Sequence, residues 1–289
     1  MFKGSFVALV TPFRDGKIDE KKFRELIKFH LDKGTDGIVP CGCTGEAATM
    51  SHDEQKRLME ITVDAVNKKV PVITGAGSNN TEEAVSLTRH AKKVGCDGIL
   101  SIMPYYNKPT PEGQYLHYKK IANAADIPVM LYNVPSRTGI SILPETVERL
   151  SKIDNIVAIK EASGSLDLAS QILALCDIAV FSGDDSLALP IMSIGGVGVV
   201  SVAANIVPEE ISRLVDLCLA GDVTEARKLH IKLTPLFKAM FIETNPIPVK
   251  ASMGLMKLID PEWRLPLCPP KAETVEKLKT VLKKQGLIE

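Results

Sequence analysis

Neither sign of charge dominates this chain: its 289 residues carry 35 lysines and arginines against 35 aspartates and glutamates, a formal net charge of zero. That balance leaves no electrostatic footprint for nucleic acid or an anionic membrane, and small-molecule chemistry is the expectation instead. Cysteine is sparse and scattered. The six, Cys41, Cys43, Cys96, Cys176, Cys218 and Cys268, form no C-x-x-C pair and have no histidine cluster nearby. Neither a zinc site nor a disulfide framework is indicated, and a reducing cytoplasm is the expected setting. Long apolar runs are missing too: the stretch 6–10 is far too short for a signal segment or a membrane span, and no later one is longer. The five histidines, at 30, 52, 90, 117 and 230, all fall on helix-like segments and none follows a strand-like run. A site free of metal and cofactor is therefore the economical expectation.

What the chain does have is alternation. Short apolar runs recur, each followed by an amphipathic segment of helical length. The runs are 5–10, 37–40, 70–74, 98–102, 128–132, 156–160, 178–181 and 198–202. Helix openings are marked by Ser51-His52-Asp53-Glu54, a capping-box signature, and by Thr110-Pro111-Glu112, with proline in the first turn. About eight strands at intervals of roughly 20 to 35 residues is the cadence of a (β/α)8 TIM barrel. A doubly wound sheet is the alternative, but the first strand runs into Val10-Thr11-Pro12-Phe13 rather than G-x-G-x-x-G. After residue 202 the pattern becomes wholly helical, over 208–219, 223–241, 246–258 and 271–284. The expected organisation is a barrel over 1–205 and a C-terminal helical extension over 206–289.

In such a barrel the chemistry sits at the carboxyl ends of the strands. The run Asn155-Ile156-Val157-Ala158-Ile159-Lys160-Glu161 delivers a lysine there. Burial penalises an ammonium and lowers its pKa, which frees an amine to attack a carbonyl. The same stretch also allows a lysine that snorkels to solvent or pairs with Glu161. Gly42-Cys43-Thr44-Gly45-Glu46 follows the second run, where two glycines let peptide N–H groups and the Thr44 hydroxyl converge on a carboxylate, or simply make a turn. Tyr105 and Tyr106 lie in a proline-flanked loop of the kind that anchors packing or an interface. Tyr132 and Arg137 share one short loop, and a guanidinium suits a carboxylate or merely the surface. Asp184 and Asp185 read as the cap and first turn of the next helix rather than as metal ligands. Lys250, after two prolines beyond the barrel, is the rival apolar-context lysine.

Taken in order, Gly42-x-Thr44-Gly45-Glu46, Pro104-Tyr105-Tyr106-Asn107, Tyr132-Asn133-Val134-Pro135-Ser136-Arg137-Thr138-Gly139, Ile159-Lys160-Glu161-Ala162 and Asn245-Pro246-Ile247-Pro248-Val249-Lys250 form a pattern. It resembles the dihydrodipicolinate synthase and N-acetylneuraminate lyase family of pyruvate-dependent class I aldolases. The resemblance runs from Phe2 to the carboxyl terminus and implies a lyase. Lys160 would form an imine with pyruvate, and the derived enamine would attack L-aspartate 4-semialdehyde, in the diaminopimelate route to L-lysine. Tyr132 would shuttle protons through a hydroxyl of the 42–45 loop to Tyr106, which in this family reaches across from a neighbouring subunit. Arg137 would hold the carboxylate of the semialdehyde, and backbone near Gly183 and Val200 would line the pyruvate pocket. A homotetramer built as a dimer of dimers is also implied. Two departures from the family pattern bear on function. Cys43 stands where a threonine is usual, so the relay meets a thiol, a weak donor and acceptor. In lysine-inhibited members a site near the subunit contact matches His52, Asn79, Glu83 and Tyr105 here, but Ala47 and Gln55 replace its serine and histidine. The alternatives are a lyase for N-acetylneuraminate or a 2-keto-3-deoxy sugar acid, whose acceptors carry hydroxyls and whose loop generally lacks Arg137, and a barrel that binds a small acid without turnover.

Overall fold

The computed structural model describes residues 2–289. Eight parallel strands occupy the runs read from the sequence: β1 Gly4–Ala8, β2 Gly37–Val39, β3 Ile73–Gly75, β4 Gly98–Ile102, β5 Val129–Asn133, β6 Ile156–Glu161, β7 Ala179–Ser182 and β8 Gly198–Ser201. Their order in the sheet is β2-β1-β8-β7-β6-β5-β4-β3. A parallel bridge between Ile38 and Val72 joins the two ends, so the sheet closes into a barrel with no free edge. The (β/α)8 architecture expected from the cadence is the one observed.

Helices α1 Glu20–Asp32, α2 His52–Val66, α3 Thr81–Val94, α4 Pro111–Ala122, α5 Pro144–Ser151, α6 Leu166–Leu175, α7 Ala188–Ser193 and α8 Pro208–Leu219 alternate with the strands. Their starts follow the local chemistry. Ser51 caps α2 in a full capping box with Glu54, and Thr110 caps α4 with Pro111 in the first turn, where a missing N–H costs nothing. The strands are clothed on both sides. Outward residues such as Val7, Ile99, Leu131 and Ile159 pack under the helices, while Phe6, Ala8, Met130, Ala158, Phe181 and Val200 fill the barrel interior. That double burial is why the strands read as continuous apolar runs.

One boundary differs from the sequence reading. The helix at 208–219, placed there in the extension, buries Ile211, Leu214 and Val215 and packs on β1 as the eighth barrel helix. The extension is then α9 Val223–Ala239, α10 Ile247–Leu255 and α11 Ala272–Lys284. It folds back so that residues 241–245 wall the carboxyl-end mouth of the barrel.

Candidate active site

The alternation of side chains along a strand decides which residues face the barrel interior. In β6, Lys160 shares the inward face of Ala158; in β5, Tyr132 shares that of Met130, and the two strands pair Tyr132 with Lys160 in register. The Lys160 ammonium lies 4.3 Å from the centre of the Tyr132 ring. Lys160 is 5% exposed and enters no ion pair among the described residues, so it neither snorkels nor pairs with Glu161. The Glu161 carboxylate instead accepts from Asn133 Nδ2 at 2.8 Å and from the Ser163 N–H at 2.6 Å. Burial lowers the Lys160 pKa, only partly opposed by Cys43, Asp184 and Asp185, and Arg137 adds to the lowering. Burial likewise pushes the Tyr132 phenol well above its ordinary range, and Cys43 beside it adds to that shift. The site thus favours an uncharged amine next to a protonated phenol.

Two cavities meet around Tyr132. The larger, about 630 Å³, is lined by Thr44, Tyr132, Ser136, Arg137, Lys160, Ala162, Gly183, Asp184, Val202 and residues 241–245. It brings together five of the residues singled out in the sequence: Lys160, Tyr132, Thr44, Arg137 and Gly183. The smaller, about 120 Å³, is lined by Cys43, Ala47, His52, Gln55, Tyr105 and the other side of Tyr132. Glu83 stands next to it, taking a hydrogen bond from Ser78 Oγ at 2.6 Å, with His52 Nε2 3.7 Å away. Asn79 lends its carbonyl to Asn107 Nδ2 at 2.8 Å and is outside the lining. Val200 is wholly buried in the barrel interior below the large cavity, and Val202 is the residue of that strand end that reaches its wall. Tyr106 is 89% exposed and lines neither cavity within the chain.

Several details were not legible in the sequence. Asn245, quoted only as part of a motif, is a hub: its Nδ2 donates to Thr44 Oγ1 at 2.9 Å and its carbonyl accepts from Arg137 Nη2 at 2.9 Å. The signal available was the recurrence of polar Asn245 among prolines, but its two partners are 201 and 108 residues away along the chain. Asp184 and Asp185 do stand at the cap and first turn of a short helix, residues 185–187, but neither side chain caps it; the Asp185 carboxylate instead accepts from Ser201 Oγ and from the N–H groups of Val202 and Ala203, tying β7 to the end of β8. Asp184 is the one that faces the cavity, its pKa raised by burial and opposed by Lys160. The rival Lys250 is fully buried too, but its ammonium is taken by Glu46. Among the described residues no group of three or more histidine, cysteine, aspartate or glutamate side chains is placed to hold a metal ion. All six cysteines are unpaired, and no helix of the described chain is long and apolar enough to cross a membrane.

Comparison with known proteins decides the relationship. The profile of the "Dihydrodipicolinate synthetase family" matches residues 1–285. The chain belongs to this family. The chain is 55% identical to the 4-hydroxy-tetrahydrodipicolinate synthase of Syntrophus aciditrophicus, over the full length of both chains. It is similar to the pyruvate complex of the chloride-inhibited dihydrodipicolinate synthase from Acinetobacter baumannii, with 44% identity, full coverage of both chains and a TM-score of 0.97. The lysine-bound dihydrodipicolinate synthase of Cyanidioschyzon merolae matches with 42% identity, 99% coverage of both chains and a TM-score of 0.96. The chain has the eight-stranded barrel in full, with Lys160 and Tyr132 paired in register on neighbouring strands.

Proposed function

We propose that this protein is a 4-hydroxy-tetrahydrodipicolinate synthase that condenses pyruvate with L-aspartate 4-semialdehyde, on the diaminopimelate route to L-lysine. The observation that carries this reading is the buried, unpaired Lys160 at a strand end, in register with Tyr132 and sharing a cavity with Arg137. In the proposed reaction the neutral Lys160 amine adds to C2 of pyruvate, and loss of water leaves a protonated imine. That cation draws electrons from C3, so loss of a C3 proton yields an enamine. The enamine carbon attacks the aldehyde carbon of the semialdehyde, whose oxygen takes up a proton. The Tyr132 phenol, held protonated by burial, donates that proton within hydrogen-bond reach and is reprotonated from solvent; the acceptor's own amine then adds to the imine carbon, and expulsion of the Lys160 amine closes the ring and frees the lysine. Arg137 offers a guanidinium to the acceptor's carboxylate, the contact that favours this aldehyde over a hydroxylated sugar acid.

The exposed Tyr106 side chain, on a backbone with φ of +69°, supports a role outside its own protomer. We infer a homotetramer of tight dimers in which Tyr106 completes a partner's relay, and a cytoplasmic setting; sedimentation velocity tests the assembly. The small cavity next to Glu83 and His52 supports lysine as a ligand, weakened here because Gln55 spends its amide on the carbonyls of Ala47 and Met50.

Peptide mass spectrometry after incubation with pyruvate and borohydride tests the central claim. A reduced pyruvyl adduct on Lys160 is expected. No adduct, or one on Lys250, would refute the imine reading and favour a barrel that binds a small acid without turnover. A Lys160 adduct with turnover only on a 2-keto-3-deoxy sugar acid or N-acetylneuraminate would favour the lyase alternative.

A further inference from the structure

Lys250 is the second buried lysine of the chain, and the proposed reaction does not use it. Its side chain is 0% exposed, its ammonium lies 2.5 Å from Glu46 Oε1 and donates to the carbonyl of Glu262, and it sits 4.5 Å from the centre of the Phe13 ring. Arg264, held by Glu54 at 2.6 Å, also lies against that ring, 4.2 Å from its centre. Oε2 of Glu46 is buried with no hydrogen-bond partner. Such a pair is a poor source of stability, because the desolvation of two ions offsets most of their attraction. Its place in the fold is informative in another way.

Glu46 ends the 42–46 loop that carries Cys43 and Thr44. Lys250 lies on α10, five residues beyond Asn245. The loop and the extension are therefore fastened at two points: Thr44 to Asn245 by a hydrogen bond on the cavity side, and Glu46 to Lys250 by an ion pair behind it. Asn245 in turn takes the Arg137 guanidinium on its carbonyl. Glu46 also holds φ at +56°, a left-handed conformation that is strained for a residue with a Cβ. A turn of that kind persists only where its surroundings over-determine it; backbone bonds from the Glu46 N–H to the Cys43 carbonyl and from the Thr49 N–H to the Glu46 carbonyl hold it locally, and the buried carboxylate fastens it to the extension.

We infer that the Glu46–Lys250 pair is a positioning device for the reaction, fixing the turn that aims the Thr44 hydroxyl and keeping Asn245 in reach of both Thr44 and Arg137. This rests on the imine reading of Lys160. Lys160 stands on β6, held by the barrel rather than by the loop, so pyruvate attachment and the later use of the acceptor depend on the pair to different extents. The effect falls on the acceptor.

The test compares the parent with Glu46→Gln/Lys250→Met, which removes both charges at nearly constant volume, and with Glu46→Asp, which keeps the charges but shortens the reach by one methylene. Three quantities are measured: the borohydride-trapped adduct on Lys160, kcat and KM for the semialdehyde, and the melting temperature. Replacing both ions should leave melting near the parental value. The adduct should form to the parental extent while kcat falls about ten- to a hundredfold, the scale of a misplacement of about an ångström. Glu46→Asp should show a smaller fall of the same kind. Parental kcat in either variant, or equal losses of adduct and turnover, would overturn the inference. If the double variant does not fold, Glu46→Asp decides by the same readouts. A parent that forms no Lys160 adduct would instead sink the underlying reading and be recognised as such.

Discussion

Gly183 is the residue whose substitution most directly reports on the geometry of the lysine. A Cβ built there would lie 2.5 Å from the Ala162 Cβ and 3.0 Å from the Lys160 Cε. The first distance is a clash that something must relieve, the second asks Cε to give by a few tenths of an ångström, and the two neighbours cannot yield equally. Ala162 is fixed by its backbone, since its N–H donates to the Asn133 carbonyl at 2.9 Å, whereas Cε is the movable end of a long side chain. Moving Cε leaves the Ala162 contact in place, so Gly183→Ala should shift the backbone where β6 and β7 end and displace Lys160 with it. Overpacking of this kind costs about 1–3 kcal/mol, and each kcal/mol lowers the melting temperature of a chain of this size by roughly 2–4 °C. The kinetic effect should be larger, because an amine displaced by about an ångström loses on the order of a hundredfold in rate. The assay is the time course of borohydride-trapped pyruvyl adduct by intact-protein mass spectrometry, alongside a thermal melt. An alanine variant that traps pyruvate at the parental rate would refute the claim that residue 183 leaves the room Lys160 needs.

Burial lowers the Lys160 pKa, so folding prefers the uncharged amine and the unfolded chain binds more protons as pH rises from the lowered folded value towards 10.5; stability should rise with pH across that window. Lys160→Met should abolish the adduct, melt no lower than the parent near neutral pH and lose that alkaline rise, which denaturant melts across pH would reveal. In the parent, the rate of adduct formation should climb with pH and level off below 10.5, as stopped-flow trapping would record. Cys43→Thr should raise turnover by restoring a hydroxyl beside Tyr132, and a variant no faster than the parent would show that the thiol suffices or is bypassed. Millimolar L-lysine should inhibit the parent weakly in a steady-state assay, and Ala47→Ser/Gln55→His should strengthen inhibition.

The eight runs at 5–202 and the capped helices between them were readable because each depends on local chemistry: β-branched apolar residues where a strand is covered on both faces, Ser51 and Thr110 where a helix needs its first N–H groups satisfied. The positions of Lys160, Tyr132, Thr44 and Arg137 just after strands were readable too, since the barrel topology sends every strand's carboxyl end to one mouth, while their expected roles came from the family resemblance. The Asp185 contacts were not, because its place in the first turn of a helix is a local matter while its partners Ser201, Val202 and Ala203 lie on and after the next strand.

By itself, then, the sequence determined the succession of elements and the parallel barrel, as consequences of periodicity and burial along the chain, and it placed a lysine at the end of a buried strand while leaving open whether that lysine is free or paired. Only the tertiary structure decided that Lys160 is free while Lys250 is taken by Glu46, that Asn245 links Thr44 to Arg137, and that Tyr106 points away from its own site. Those outcomes depend on which residues meet across separations of 100 to 200 positions, and no local pattern encodes such a meeting.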